Sequence, residues 1–430
     1  MLEYILLIIY KIMFDFMYIN IISVQFEYMG MYKDINFFKY IIGWIIFFII
    51  VFTIQKTLKS KISLYITKLF LIFSIIPQIS LWGIKDYSNT SIILMNIYWI
   101  IFIFFLKLFD RIKFKKRKAI DLRDFREVFF VSQLSSKVSV VLILLFSCMV
   151  IILISWKYTG FRFVLSFDNI YEYRQSYNEA TKSIIVNYLL PLTASVLLPY
   201  CFTIHLIERK YVISAIILIL GILSFSISGM KTWLFIYVAV VFFCICGKRT
   251  RINVIEYLLL FLIGFTCISV WWYYIKGSIE LVGLHNRMLS YPSELNFYYY
   301  NFFSQNKLLY LRESILRHFF QSPYEIKTPY LVSYTYGSGE GYTNNAVNGL
   351  FGDAYANFGL LGTIIYPILL AIIMRGLSYL FESYSDKRYA YSILFIVIWN
   401  SLNTSFFTWL LTGGVILFYI VLYINRMELK

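Results

Sequence analysis

The chain has 430 residues, 60% of them hydrophobic and 14% charged, with 41 Phe, 38 Tyr, a mean hydropathy of +0.72 and a net charge of +16. A water-soluble chain carries roughly 25% charged residues, so this composition excludes a soluble multidomain protein, and it equally excludes collagen, a coiled coil, a disordered tail and a disulfide scaffold. The cations are spread over many short connections and form no single patch, which argues against a nucleic-acid partner.

Apolar windows recur at 2–22, 37–54, 62–82, 91–109, 138–155, 184–207, 211–228, 231–246, 253–275, 347–374, 389–404 and 407–425. Each is of the length that crosses a bilayer as a helix or approaches it. The expected fold is therefore an all-α polytopic membrane protein. It has about 12 transmembrane helices in one domain, residues 1–430, with a large helical periplasmic loop between helices 9 and 10. The first window carries Lys11 and Asp15 and lacks a small-residue cleavage site, so it reads as a retained helix.

Alternate connections are short and basic. They hold Lys56, Lys59 and Lys61, a cluster from Arg111 to Arg126 within the segment 107–127, then Arg209 and Lys210, Lys248 to Arg251, Arg375, Lys387 and Arg388. The opposite set is longer and poorer in cations. By the positive-inside rule the basic set and both termini face the cytoplasm, and the 107–127 segment is a topology anchor beside anionic lipid. All five cysteines lie inside apolar windows, where they read as small apolar residues and not as a metal knuckle or a disulfide framework.

The connections predicted cytoplasmic leave no room for a catalytic domain, so the polar chemistry is expected on the other face. Two segments there are long, 156–183 and 276–346, and a long connection in a compact protein is usually functional. The first carries Arg174. Between Tyr291 and Tyr342 the second holds ten tyrosines and five phenylalanines beside Arg312, Arg317, His318, Glu294, Glu313, Glu325 and Glu340. Leu308, Leu311, Ile315 and Phe319 recur at helical spacing, which predicts a helix over 307–320 lying on the outer leaflet. The aromatic residues suit either an interfacial belt or stacking on sugar rings.

The loop is followed by GSGEGYTNNAVNGLFGDAYANFGLLGTIIYP, Gly337 to Pro367. Gly349, Gly352, Ala356 and Gly359 are spaced three or four apart and predict a smooth stripe on one helix, suited to close packing. Asp353 and Asn357 flank that stripe. An Asp at the mouth of a membrane helix is costly unless solvated or paired, so it is either a functional group or a cap. Lys231, in the turn SISGMKTW, is either a phosphate ligand or a lysine snorkelling to the lipid surface.

These parts suit transfer from a lipid diphosphate. Departure of a diphosphate places negative charge on the leaving group, which Arg and Lys stabilise, while an acceptor sugar hydroxyl needs a base such as a carboxylate. The candidates are Arg174, Lys231, Arg287, Arg312, Arg317 and Asp353. No D-x-D pair occurs in the chain, so no metal site and no other cofactor is expected.

The twelve windows, the long segment after the ninth, the turn Gly229 to Lys231 and the run GDAYANFGLLG, Gly352 to Gly362, together resemble the Wzy-type O-antigen polymerases, membrane glycosyltransferases of the GT-C class. The resemblance implies an enzyme of the bacterial inner membrane. It would join undecaprenyl-diphosphate-linked oligosaccharide repeat units, donor to acceptor, at the periplasmic face, without metal or nucleotide sugar, and it could work beside a chain-length regulator. It also implies that Arg174, Arg287 and Asp353 act in catalysis, and that Lys231, Tyr355 and Asn357 bind substrate; from the loop itself, Arg312 or Arg317 is expected to help bind substrate at the lipid surface. The ligase branch of this class carries a histidine-asparagine pair where this chain reads TNNA, with Thr343 and Asn344, and that favours a polymerase. A lipid-linked oligosaccharide flippase is the competing class, but no half-to-half repeat is visible and a flippase does not need the long loop. A non-enzymatic scaffold would explain the aromatic loop and not the clustered glycines or Asp353.

Overall fold

A computed structural model describes residues 2–58, 60–112, 136–163, 183–248, 253–337, 345–347, 349–382 and 384–425. Every regular element among them is helical, and ten helices are long and apolar enough to cross a membrane. The protein is thus an all-helical membrane protein. In chain order the elements are α1 (Leu2–Gln25), α2 (Phe37–Thr57), α3 (Lys61–Ile84), α4 (Asn89–Arg111), α5 (Val138–Thr159), α6 (Val186–Ile207), α7 (Tyr211–Ser228), α8 (Lys231–Cys246) and α9 (Val254–Lys276). They continue with α10 (Glu280–His285), α11 (Tyr291–Phe303), α12 (Thr328–Tyr336), α13 (Leu350–Glu382), α14 (Lys387–Ser401), α15 (Phe406–Leu411) and α16 (Val415–Asn425), the last two together forming the tenth span, Phe406–Ile424.

The helix ends follow local sequence chemistry. Asn36 accepts a hydrogen bond from Lys39 N at the start of α2, and Asn253 with Glu256 forms a reciprocal capping box at the start of α9. Gly229 and Gly277 close α7 and α9 in the left-handed conformation. π-Helical turns cover Tyr18–Ile22 in α1, Leu71–Ile75 in α3, Thr193–Leu197 in α6 and Asn286–Ser290 ahead of α11, and the last three are each followed two residues on by a proline, Pro77, Pro199 and Pro292. A proline donates no hydrogen bond and clashes with the carbonyl four residues before it, and a widened turn just ahead relieves that clash.

The chain forms two compact units. The first holds residues 1–111, 251–376 and 398–408. Its central column is α3, nearly all of which is buried. Charges at membrane depth are paired: Lys11 Nζ bonds Asp15 (2.9 Å) and Ser80 (2.8 Å) and lies over the Trp44 ring, while Lys68 bonds Glu3 (2.7 Å). The second unit holds residues 112–250, 377–397 and 409–430, with α6 packed on α7 and α8. Pairing offsets the desolvation cost that an isolated charge would carry in this setting.

Ten of the twelve apolar windows coincide with helices of spanning length, α8 is a shorter apolar helix, and Lys387–Ser401 is a helix of 15 residues. Within the 276–346 segment, Tyr291–Phe303 is a helix buried almost throughout in the first unit, anchored by Glu294, which receives Lys85, Tyr18, Tyr87 and Tyr298. One expectation for this segment needs correction. The stretch 307–320 is a chain of turns, with Tyr310 and Leu311 at positive φ, and not the amphipathic helix that its leucine spacing predicts. Most of 107–127 and of 156–183 lies outside the described residues.

Candidate functional site

The glycine-rich stretch places its polar groups by breaking a helix. In α13, Gly359 has φ 56° and ψ −130°, a conformation essentially confined to glycine, and the helix is interrupted there. In an unbroken helix the carbonyls of Ala356 and Asn357 would accept from the amides four residues on. Here they accept from the loop instead, Ala356 O from Leu309 N (2.9 Å) and Asn357 O from Tyr310 N (3.2 Å). Leu308 covers Gly359. Irregular backbone at membrane depth persists only where its polar groups find partners, and these bonds supply them. The expected small-residue stripe is therefore only partly a packing surface. Gly349 does sit against the backbone of Leu402, but Gly359 is the break itself.

Asn357 completes the junction. Its Oδ1 accepts from Leu311 N (2.8 Å), and its Nδ2 donates to Asp353 O (2.9 Å) and Asp353 Oδ1 (3.0 Å). The other carboxylate oxygen, Asp353 Oδ2, accepts from Phe406 N (2.9 Å), the first residue of α15. Asp353 is thus buried, caps α15 and holds Asn357 in place. Tyr98, Tyr299 and Tyr366 lie close enough to feel its charge. The buried hydroxyls of Tyr98 and Tyr366 have no hydrogen-bond partner among the described residues. Asn296 Oδ1 accepts from Gly352 N (3.1 Å), which ties α11 to the same turn of α13. A cavity of about 10 Å³ beside Asn296, Gly349 and Phe351 has room for one water and none for a sugar.

The candidates named from sequence fall in several separate places. Asp353 and Asn357 are in direct contact, and Leu311 links them to the stretch that carries Arg312. Arg312 is half-buried, with its guanidinium 6.0 Å from the centre of the Tyr310 ring. Arg287 is exposed over the Tyr291 ring, and Arg317 is exposed with its Nε on His318 (3.2 Å). None of these three arginines has a carboxylate partner among the described residues. Tyr355 is packed between Tyr300 and Phe351, so its ring belongs to an aromatic cluster. Lys231 is an exposed residue of the second unit, at the start of α8 after the Gly229 turn. Arg174, Thr343 and Asn344 lie outside the described residues.

Three groups escaped the sequence reading. Glu313 receives Thr328 N (3.0 Å), Thr328 Oγ1 (2.9 Å) and Ser322 Oγ (2.8 Å), which caps α12 and folds the loop back on itself. Lys85 is buried against Glu294, Gly30 O and the rings of Tyr32, Tyr87 and Tyr298. His285 is buried, with Nε2 3.1 Å from Thr266 Oγ1, and burial pushes its pKa down to about 3, so it is neutral at ordinary pH. The signal for Lys85 and Glu294 was a lone cation in a short turn and a lone acid in an aromatic run, and nothing in their spacing joins them.

Among the described residues, no group of three His, Cys, Asp or Glu side chains is placed to hold a metal ion. Comparison with protein-family models, with curated proteins and with solved structures finds nothing that matches this chain. The class that the fold defines is an all-helical membrane protein with a broken helix carrying a buried Asp-Asn pair.

Proposed function

We propose that this chain is an O-antigen polymerase of the Wzy type, joining lipid-diphosphate-linked oligosaccharide repeat units at the non-cytoplasmic face of the bacterial inner membrane. The observation that carries the reading is the junction at Gly359. There the GDAYANFG run meets the aromatic, arginine-bearing loop through Ala356, Asn357 and Asp353. In transporters, broken helices with free termini supply polar sites at membrane depth, and the same physics gives a glycosyl transferase a fixed polar patch in an apolar wall.

In the proposed reaction the acceptor hydroxyl attacks the anomeric carbon of the donor sugar. The carbon-oxygen bond to the diphosphate breaks, and its electron pair leaves with the diphosphate. Arg287 neutralises that charge, and Arg312 or Arg317 helps at the lipid surface. Arginine contributes two parallel donors, and removal of one such donor typically costs on the order of 3 to 4 kcal/mol of barrier. Asp353 orients the acceptor or accepts its proton. The three arginines of the long segment that lack carboxylate partners among the described residues fit anion binding, since an arginine neutralised by a neighbour has little left to offer.

The test is to reconstitute the purified protein with a synthetic undecaprenyl-diphosphate repeat unit and resolve the products on a gel. A ladder of lengthening chains is expected. Transfer only onto a separate lipid core would make it a ligase, and movement of the unit between leaflets without bond formation would make it a flippase.

A further inference from the structure

The second unit contains a cleft of about 450 Å³ that the proposed reaction does not use. It lies between the α6–α7 turn, the end of α8 and the start of α14, and its wall includes Leu206, Val241, Ile245, Arg209, Lys248 and Arg388. Its wall combines two kinds of residue: Arg209, Lys248 and Arg388 belong to the basic set, and Val241 and Ile245 belong to a membrane helix. Ile245 is 58% exposed and Tyr211, also in the wall, is 64% exposed, so the apolar side is open.

The acidic groups nearby are already engaged. Glu208 pairs with Lys210 (2.7 Å), and Asp386 accepts from Arg388 Nε (2.9 Å) and from its backbone amide (2.9 Å). Arg388 is therefore a neutralised wall residue, held where Gly247 leaves space for its side chain. Arg209 and Lys248 are exposed and have no side-chain partner among the described residues, which leaves two uncompensated positive charges in the wall of a largely apolar groove.

We propose that this cleft binds an anionic phospholipid, with its phosphate between Arg209 and Lys248 and an acyl chain along Val241 and Ile245. Basic pockets between membrane helices are a recurrent way of holding such headgroups. A free phosphate would satisfy the two cations but would leave the exposed apolar wall uncovered, so the lipid is the occupant that accounts for both halves of the groove. The volume is ample for one headgroup.

Retention of phosphatidylglycerol and of phosphatidylcholine by the detergent-purified protein, measured by native mass spectrometry, tests this. Each cation near an anionic lipid changes affinity roughly fivefold, so R209A combined with K248A should weaken phosphatidylglycerol binding by roughly thirtyfold. The control variant K56A with K61A, in a basic connection of the first unit, should change it far less. Equal losses in both variants would mean diffuse adsorption, and equal retention of both lipids by the wild type would mean no headgroup recognition; either overturns the proposal. I245S should weaken lipid retention while leaving any binding of inorganic phosphate unchanged. If inorganic phosphate binds at this site as tightly as the lipid, and I245S has no effect, the occupant is a free anion and the lipid assignment fails. Thermal melting of each variant alongside the wild type confirms that it is folded.

Discussion

Replacing Gly359 by alanine tests the broken helix directly. At φ 56° and ψ −130° a side chain meets its own backbone, and holding a non-glycine residue there costs about 1 to 3 kcal/mol. The space around the position is not the obstacle, because the nearest atom to an added Cβ is Leu308 Cδ1 at 3.4 Å, ordinary contact. The chain could escape the strain by straightening the helix, but then Ala356 O and Asn357 O would return to helical bonding, and Leu309 N and Tyr310 N would lose their acceptors at about 1 kcal/mol or more each. Both routes give a loss of about 1 to 3 kcal/mol. Thermal unfolding in detergent, read against G264A, measures it. Gly264 lies in α9 with nothing within 4 Å of an added Cβ, so that variant should be neutral or more stable by up to about 1 kcal/mol. G362A should lose more than G359A, because its Cβ would fall inside contact distance of the Ala354 carbonyl, which is backbone and cannot swing away. A G359A protein that melts with the wild type and still makes the polysaccharide ladder would refute the claim that the break holds the loop.

N357A removes the acceptor of Leu311 N and two bonds to Asp353, so it should destabilise by about 2 to 4 kcal/mol in the same melting assay, and an unchanged melt would contradict the junction. K85M leaves Glu294 as a buried unpaired acid and should cost about 3 to 5 kcal/mol, whereas K85M combined with E294M should recover much of that loss; a double variant no better than the single would show that the pair is not the reason. His285 has a folded-state pKa of about 3 against an ordinary 6.5, so the unfolded chain binds the extra proton between those values. Its stabilising contribution is complete above about pH 6.5 and erodes by up to about 5 kcal/mol as the pH falls toward 3. H285Q should flatten the acid limb of the melting curve, and identical pH profiles for the two proteins would rule the histidine out as its source.

The spans were legible because a bilayer helix must satisfy its own backbone and cover itself with apolar side chains over a fixed length, a condition that any window of the sequence displays. The 276–346 segment was not legible in this way. Tyr291–Phe303 reads as an aromatic, polar-spotted stretch, and it is buried because Glu294 meets Lys85, a partner 209 residues away. Leu308, Leu311, Ile315 and Phe319 have the period of a helix, but Tyr310 and Leu311 are held at positive φ, where a right-handed helix cannot run. The spacing of Gly349, Gly352, Ala356 and Gly359 fits a flat packing stripe and a break equally well, since glycine serves close approach and unusual dihedrals alike. Asp353 reads from the sequence as either a functional group or a cap, and its carboxylate meets a helix terminus 53 residues away.

That partner changes what the obvious test of Asp353 can mean. Both carboxylate oxygens are occupied, Oδ1 by Asn357 and Oδ2 by Phe406 N. D353N puts an amide nitrogen against one of these donors, so it disturbs the cap of α15 whatever else the residue does, at a cost of about 1 to 3 kcal/mol. Loss of polysaccharide in cells is therefore ambiguous, because a less stable protein is also a less abundant one. The two roles separate when turnover is measured per folded molecule in the reconstituted assay. A residue that only caps α15 predicts a lower melting temperature with turnover per folded molecule unchanged. A base or acceptor-positioning group predicts a fall of about 100-fold or more in that turnover, the usual scale for a general base. F406P keeps the carboxylate but removes both the amide that donates to it and a buried ring packed on Tyr366, so it should lower stability by more than D353N does. If D353N and F406P lower turnover per folded molecule equally, Asp353 acts through the helix end, and the role of base passes to another group.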